Sequence, residues 1–357
     1  MLKSTLVTRA GQFLSIVLLF TACSNDSNTP QPDPIPDPDP DFGTAIEIPD
    51  VNFERALLAQ GIDTDGELNH QIWEQDALAA IEMNLFFTGS DNQNKITDLT
   101  GIEAFKNVEH LIVGDHALQT VSLAENTALK NLYLSFNQIT EIDLSKNVSL
   151  THLFINRNDL TTLDLSHNTE LQYLHVVAND LTSLVLSHNP NLIEVLATAN
   201  LLTSVTGLEH TSKLTKLYLG FNELKEFSIH LPSLMGLNIE NNLLTKLDVD
   251  NCSNMEYLLA TSNQLTELNI STNKALKHLK VSYNKLQEID MSHSKKLEEL
   301  WISGNNLSQL DVSESPLLYD LRVLKNSLLT CISIATDQVI PTLQLGSHQG
   351  LSTEGCG

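Results

Sequence analysis

The chain has 357 residues, of which 44 are acidic and 20 basic, so its formal net charge at pH 7 is −24. Phosphate backbones and anionic lipid headgroups repel such a surface. Nucleic acid is therefore not expected as a partner, and the charge favours a protein that is soluble outside the cell.

Residues 1–22 are predicted to be a secretory signal peptide. Two basic residues precede an apolar run at 13–20 that is too short for a membrane span. The run ends abruptly at Cys23, and the cleavage region resembles a bacterial lipobox, in which that cysteine carries the lipid. Phe20 departs from the leucine more common at its position. We predict lipidation of Cys23; an ordinary signal peptide with an incidental cysteine is the alternative.

Residues 23–43 are predicted to form a stalk. Prolines recur at every second position from Pro30 to Pro40, mostly separated by aspartate. Proline removes amide donors and favours extended polyproline geometry, while the aspartates repel one another. At about 3.1 Å per residue, the segment would hold the folded part tens of ångströms from a bilayer. A disordered tail is the alternative.

Residues 44–107 are predicted to form an N-terminal cap and degenerate first rungs. Asp50 is a suitable N-cap for a short helix that stops at Gly61. The loop at 61–66 superficially suggests a calcium site. An EF-hand loop with its glycine at position 66 would, however, need acids where Gly61 and Ile72 stand. We predict a turn there.

One pattern, Leu-x-x-Leu-x-Leu-x-x-Asn-x-Leu, returns eleven times within residues 108–330. Its asparagine position recurs every 21 residues, with one step of 22 and one of 20. A fixed period of this length predicts a repeat solenoid. The asparagine position holds His116, Asn137, Asn158, Asn179, Asn200, Asn222, Asn242, Asn263, Asn284, Asn305 and Asn326.

Each repeat also contains a weaker half-pattern, such as residues 163–168. Alternation within Leu-x-Leu sends neighbouring side chains to opposite faces, so each coil should hold two short extended segments that pair with the next coil at about 4.8 Å. The asparagine amides can satisfy buried main-chain groups where the coil turns. Small hydrogen-bonding residues replace some asparagines of the half-pattern, and Cys252 is explained as one of them.

These residues resemble the leucine-rich repeat family, specifically the bacterial 21-residue variety with nested half-units found in surface lipoproteins of the Bacteroidetes type. The resemblance covers residues 44–357 and implies a fold of short parallel β-strands behind a small helical cap. With Cys23 lipidated, Cys331 and Cys356 can pair in an oxidising compartment, and the resemblance implies a disulfide-closed C-terminal cap at 331–357. Such folds serve mostly as recognition scaffolds and seldom as enzymes.

In such coils the outward positions of the first strand face the concave side, where five of the six tyrosines fall. Aromatic side chains are typical interface anchors, and cross-strand packing within the sheet is the alternative role. The second strand carries mostly polar outward residues, which favours a binding surface on the first. The predicted binding residues are Tyr133, Phe136, Phe154, Tyr173, His175, Tyr218, Phe221, Tyr257, Tyr283 and Trp301.

Metal and catalytic chemistry find little support in the sequence. His152 and His175 lie on neighbouring rungs, but no third ligand accompanies them. The column of aspartates that includes Asp143 and Asp290 is interpreted as solvated turn residues rather than a calcium ladder. The chain has no glycine-rich phosphate loop, no nucleophile elbow and no paired acids in an identifiable cleft. We expect no enzyme activity, no cofactor and no metal.

These patterns predict a binding protein that is lipid-anchored in the outer membrane and displayed on the cell surface. Its concave aromatic face would hold a protein partner, either as an accessory subunit of an outer-membrane protein complex or as an adhesin. A glycan-binding receptor for nutrient capture is the alternative, with rings such as Tyr218 and Trp301 stacked on sugars. A passive envelope component is a third possibility. The length of the aromatic stripe suits a large protein better than a short oligosaccharide.

Overall fold

The computed structural model describes residues 43–356, so the predicted signal peptide, Cys23 and nearly all of the stalk lie outside the described residues. Within that range the helices are α1 at Val51–Ala59 and α2 at Glu74–Ala79. No helix in the described range is long and apolar enough to cross a membrane. The rest consists of turns, short 3-10 segments and strands of two or three residues.

The strands follow one another at the period of the sequence repeat. In chain order they are β1 Ala45–Glu47, β2 Gln71–Trp73, β3 Glu82–Asn84, β4 His110–Ile112, β5 Asn131–Tyr133, β6 His152–Phe154, β7 Tyr173–His175, β8 Ser183–Val185, β9 Glu194–Leu196, β10 Ser204–Thr206, β11 Lys216–Tyr218, β12 Glu226–Ser228, β13 Gly236–Asn238, β14 Lys246–Asp248, β15 Tyr257–Leu259, β16 His278–Lys280, β17 Glu299–Trp301, β18 Leu310–Asp311, β19 Asp320–Arg322, β20 Cys331–Ser333, β21 Thr342–Gln344 and β22 Gly350–Ser352.

A parallel sheet joins one strand from each coil. Over residues 43–356 it contains thirteen strands, from β3 at one end to β21 at the other, in the order β3-β4-β5-β6-β7-β9-β11-β13-β15-β16-β17-β19-β21. Register is kept from coil to coil, so Leu132 lies beside Leu153 and Leu153 beside Leu174. These central residues are buried, whereas their neighbours on each strand point outward. The predicted leucine-rich repeat solenoid is confirmed.

The asparagine column performs the role predicted for it. Asn158 is buried; its Nδ2 donates to the carbonyls of Leu134 at 3.0 Å and Ile155 at 3.3 Å, and its Oδ1 accepts from the amide of Ile139 at 3.0 Å. One side chain thus ties three backbone groups of consecutive coils. At the first rung His116 replaces the asparagine, accepting from a backbone amide through Nδ1.

On the half-pattern side, strand pairing between coils is less extensive than the sequence predicted. Paired strands form there only in three small sheets of the described chain, β8 with β10, β12 with β14, and β18 with β20 and β22. Elsewhere side chains rather than backbone ladders link the coils. Asn147, for example, donates to the carbonyls of Leu123 and Asn126, both at 2.9 Å. The extended segment is present, but the sequence pattern did not reveal that side chains replace strand pairing.

Both ends of the array are closed. Helix α1 begins after Asp50, whose carboxylate accepts from the amides of Asn52 and Phe53, so the predicted capped helix is confirmed. Cys331 and Cys356 are disulfide-bonded, as predicted. Cys252 is a buried free thiol in the half-pattern column, where it donates to a backbone carbonyl.

Two of the buried carboxylates of the N-terminal cap are incompletely hydrogen-bonded. Glu54 and Asp63 each have one oxygen without a hydrogen-bond partner in the described chain. Burial and the nearby charges of Asp65 and Glu54 raise the pKa of Asp63 to about 6. Proton binding by Asp63 therefore favours the folded cap.

The pH dependence of the cap follows from this shift. Because the pKa of Asp63 is raised from 3.8 to about 6 on folding, its stabilising contribution is complete below about pH 4 and is lost as the pH rises through about 6. We expect the melting temperature of Asp63→Asn to depend less on pH than that of the wild type between pH 4 and 7, measured by circular dichroism. Identical pH profiles of the two proteins would contradict the shift.

Candidate functional site

The outward face of the main sheet carries a long uncharged column. In nine consecutive strands of the sheet, β3 to β15, the third residue is neither acidic nor basic at neutral pH, although the chain has a net charge of −24. Such a stretch is unusual on so acidic a surface. Its members are Asn84, Ile112, Tyr133, Phe154, His175, Leu196, Tyr218, Asn238 and Leu259.

The rings near the N-terminal end of this face form an aromatic stack: Tyr133, His152, Phe154, Tyr173 and His175. The ring of Phe154 lies 4.2 Å from His175 in a stacked arrangement and 4.6 Å from Tyr133 edge to face. His152 and Tyr173 stack at 4.6 Å. The alternative role of sheet stabilisation therefore describes part of what these residues do, since they pack on one another across strands.

The histidines of the aromatic stack are held neutral. Burial lowers the pKa of His175 despite a hydrogen bond to Glu194 at 2.9 Å. Burial and the neighbouring histidines lower the pKa of His152. Glu194 is paired with Lys216 at 2.6 Å, which with the bond to His175 outweighs burial and lowers the pKa of that carboxylate. At neutral pH the aromatic stack itself is therefore uncharged, with the Glu194–Lys216 ion pair beside it.

Tyr218 stands apart from the aromatic stack. Its ring faces Gly236 on the next strand, where an added Cβ would lie 3.9 Å from a ring carbon. The nearest cation is Lys216, at 5.7 Å from the ring centroid. In the described chain Tyr218 therefore makes no ring-to-ring contact, and its exposure is intermediate.

Trp301 belongs to a charged cluster near the C-terminal end of the sheet. The Nζ of Lys280 lies 3.5 Å from the centroid of the indole and the Cζ of Arg322 lies 3.9 Å from it. The indole Nε1 donates to Asp320 at 3.2 Å, and Asp320 in turn accepts from Arg322. The two cations occupy the faces of the ring, so Trp301 is a packed component of the sheet rather than a free stacking platform.

Glu299 ties the rest of the charged cluster together. It accepts from Tyr319 at 2.8 Å and pairs with Lys280 and His278. Burial raises its pKa, but these hydrogen bonds outweigh burial and hold the pKa at about 2. Tyr257 stacks on His278 at 4.7 Å. Tyr319 is the sixth tyrosine, missed in the sequence because it lies one residue before the strand.

A stability prediction separates Trp301 from Tyr218. Trp301→Ala removes two cation–π contacts and one hydrogen bond, so we expect the free energy of unfolding to fall by about 2 kcal/mol. Tyr218→Ala removes no ring contact and should cost less than about 1 kcal/mol. Urea unfolding of both variants measures this, and equal losses would show that the two rings are packed alike.

A second outward row follows the sheet where each coil turns, and we term it the left-handed column. Its backbone has φ between 51° and 68° in every coil of the array. Phe136, Phe221 and Tyr283 lie here and are about half exposed, at 47%, 52% and 51%. The column comprises Asp115, Phe136, Arg157, Ala178, Ala199, Phe221, Asn241, Ser262, Tyr283, Gly304 and Lys325.

The predicted binding residues thus divide into separate groups. The aromatic stack holds Tyr133, Phe154, Tyr173 and His175, while Tyr257 and Trp301 contact the charged groups near the C-terminal end. Tyr218 lies between these groups along the sheet, and the remaining three occupy the left-handed column. The sequence identified these three as outward residues just before the asparagine but did not reveal their left-handed backbone, although the column's mixture of glycine, asparagine and aspartate is typical of it.

The candidate metal ligands have other roles. Within residues 43–356 no group of three His, Cys, Asp or Glu side chains is arranged to hold a metal ion. Asp143 accepts from the amide of Ser145 at 2.8 Å, and Asp290 from that of Ser292 at 2.9 Å. These bonds confirm the interpretation of the aspartate column as turn-forming residues. Asp65 of the cap loop likewise accepts from a backbone amide within its own turn.

Comparisons with known proteins support the fold. No protein-family model matches the chain, and no curated protein matches it. Among solved structures, the functional domain of InlJ from Listeria monocytogenes has a TM-score of 0.73 at 26% identity, over 84% of this chain and 70% of that chain. The internalin InlF from the same organism has a TM-score of 0.59 at 20% identity, over 80% and 95%.

A plant protein shows the same likeness. The leucine-rich repeat ectodomain of the membrane receptor kinase GASSHO1/SCHENGEN3 from Arabidopsis thaliana, solved in complex with CASPARIAN STRIP INTEGRITY FACTOR 2, has a TM-score of 0.58 at 24% identity. The match covers 71% of this chain and 36% of that chain. These similarities show that the present chain has the leucine-rich repeat fold.

Proposed function

We propose that this leucine-rich repeat solenoid binds a protein partner through the outward side of its main sheet. The observation that carries the proposal is the uncharged column of nine strands, with half-exposed phenylalanines beside it, on a chain of net charge −24. Uncharged aromatic surface is typical of the centre of protein interfaces, from which acidic residues are depleted.

The packing of the rings favours a protein over a glycan. A sugar ring stacks on an open aromatic face, but Phe154 and Tyr173 are stacked on histidines and Trp301 is covered by two cations. Ring edges and the apolar residues between them remain, and protein side chains pack well against such surfaces. The complex of the plant receptor ectodomain with its named factor is consistent with a binding role for this fold.

We also propose, from the sequence, that the chain is anchored in the outer membrane through a lipid on Cys23 and displayed on the cell surface. The stalk at 23–43 would give the solenoid the reach to meet a neighbouring membrane protein. An accessory subunit of an outer-membrane complex fits this arrangement, as does an adhesin. Cys23→Ser should release the protein from the membrane fraction, and its retention there would exclude the anchor.

Native co-purification tests the binding role. The full chain with a C-terminal tag is extracted gently from its own membrane, and co-purifying proteins are quantified by mass spectrometry. We expect a stoichiometric protein that is lost from the double variant Tyr133→Ala, Tyr218→Ala. The matched control is Val185→Ala, an exposed apolar residue of β8 on the opposite side. Recovery of the chain alone, with glycan-array binding, would favour the glycan receptor instead.

A further inference from the structure

We infer that the anchoring point for the partner is a notch in the left-handed column, and that it receives an apolar side chain of the partner flanked by Lys or Arg. This inference rests on the proposed protein-binding function. The notch is defined by Arg157, Ala178, Ala199 and Phe221, which occupy four consecutive coils. Two small side chains there lie between two large ones.

The notch is a regular part of the coil. The amides of Ala178 and Ala199 donate to the carbonyls of Thr198 and Gly220 on the next coil, both at 2.9 Å, so the column is stacked like the sheet. At about 4.8 Å per coil, Arg157 and Phe221 stand about 14 Å apart. Because the side chains of Arg157 and Phe221 occupy part of this spacing, the gap between them suits one bulky side chain entering from above.

Folding does not explain the choice of residues at the notch. A side chain at φ near +60° is strained unless it belongs to glycine or asparagine, the residue types of Gly304 and Asn241 in the same column. Phe221 has φ of 57°, is 52% exposed and makes no ring or cation contact within the described chain. Phe136, at 47% exposed, supports Arg157, whose Cζ lies 5.2 Å from its ring. Most of the column shares this backbone, so the exposed aromatic ring itself, which gains nothing from water, is what a partner explains better.

The rim of the notch defines the charge of that partner. Asp159, Asp180 and Glu223 are exposed in the adjacent row, and none forms an ion pair over residues 43–356. Leu201, which is 45% exposed, lies between the second and third of them. Carboxylates of the sheet such as Glu194 and Glu299 differ, since they are already paired with lysine side chains. The three unpaired acids outnumber the one cation of the notch, Arg157, whose guanidinium lies over the ring of Phe136, so the rim as a whole complements basic residues around an apolar anchor.

The same rim disfavours other occupants. A second copy of this chain would bring another surface of net charge −24 against the unpaired carboxylates, and an acidic protein would be repelled in the same way. The partner surface is therefore basic near its anchor.

Filling the notch tests its role. Ala199→Lys places a long charged side chain between the two walls, and the backbone tolerates it because Lys325 already occupies the column with φ of 60°. The matched control is Ser262→Lys, at φ of 57° in the same column but outside the notch. We expect Ala199→Lys to lower co-purification of the partner by about tenfold or more at an unchanged melting temperature, while Ser262→Lys retains it.

Cross-linking identifies the occupant. A photoreactive p-benzoylphenylalanine in place of Phe221 should cross-link to a partner peptide with an apolar residue and Lys or Arg within about one helical turn of it. The double variant Asp180→Lys, Glu223→Lys should lower the amount of partner that co-purifies. Added salt should then increase that amount, whereas it should decrease it for the wild type. An acidic peptide, a glycan or a second copy in the cross-link would overturn the inference. If Ala199→Lys co-purifies as much partner as the wild type, the inference about the notch is wrong but the proposed function stands. If the wild type itself co-purifies no partner, both the proposed function and the inference about the notch are wrong.

Discussion

Asn158→Ala should lower the free energy of unfolding by about 3 kcal/mol, because one buried side chain is lost and three backbone groups lose their partners. The two carbonyls and one amide that it serves belong to two successive coils, since Leu134 and Ile139 share the coil before that of Asn158. Alanine cannot replace any of these bonds, and water has no access to them. Urea unfolding followed by circular dichroism measures the loss.

Two controls on neighbouring positions make this prediction specific. Thr161→Ala, at an exposed position just after Asn158, should change stability by less than about 0.5 kcal/mol. Asn147→Ser in the half-pattern column should also cost less, because its Oδ1 already lacks a partner and Ser315 in the same column still donates to a carbonyl at 3.1 Å. Equal losses for Asn147→Ser and Asn158→Ala would contradict the distinct roles of the two columns.

Removing the disulfide between Cys331 and Cys356 should cost about 3.5 kcal/mol by the loop-entropy relation, since the bond closes a 25-residue separation. The bond ties β20 to the chain end beyond β22, the last strand of its small sheet in the described range. We therefore expect the loss to appear as faster hydrogen exchange in residues 310–352, with protection near β5 to β9 unchanged.

The double variant Cys331→Ser, Cys356→Ser allows this to be measured without reductant. Adding dithiothreitol to the wild type should reproduce the exchange pattern of the variant, and adding it to the variant should change nothing, because Cys252 is a buried free thiol. Uniformly faster exchange along the whole array would show that the bond supports global rather than local stability.

The sequence predicted those parts of the fold in which every coil needs the same residue type at the same position. An inward leucine at every second position of a strand and an asparagine at every turn are needed by each coil, so their period fixed the architecture. The same reasoning explained Cys252, because a small donor suffices in the half-pattern column.

The site was predictable only as a set of outward positions. Which ring faces are open depends on neighbours one repeat away, as Lys280 and Arg322, each 21 residues from Trp301, show. The left-handed backbone at Phe136 and Phe221 arises from the turn of the coil and has no signature in an aromatic residue. Position in the repeat therefore indicated a surface, while the contacts of each ring decided which members are free to bind.

The central claim is that the exposed aromatic residues of the left-handed column serve binding rather than folding. The most direct test compares the affinity for the captured partner and the melting temperature of the wild type with those of Phe136→Asn, Phe221→Asn. Asparagine suits the left-handed backbone, as Asn241 shows. We expect affinity to fall by about 100-fold or more with an equal or higher melting temperature. Unchanged affinity, or a clear fall in the melting temperature, would contradict the claim.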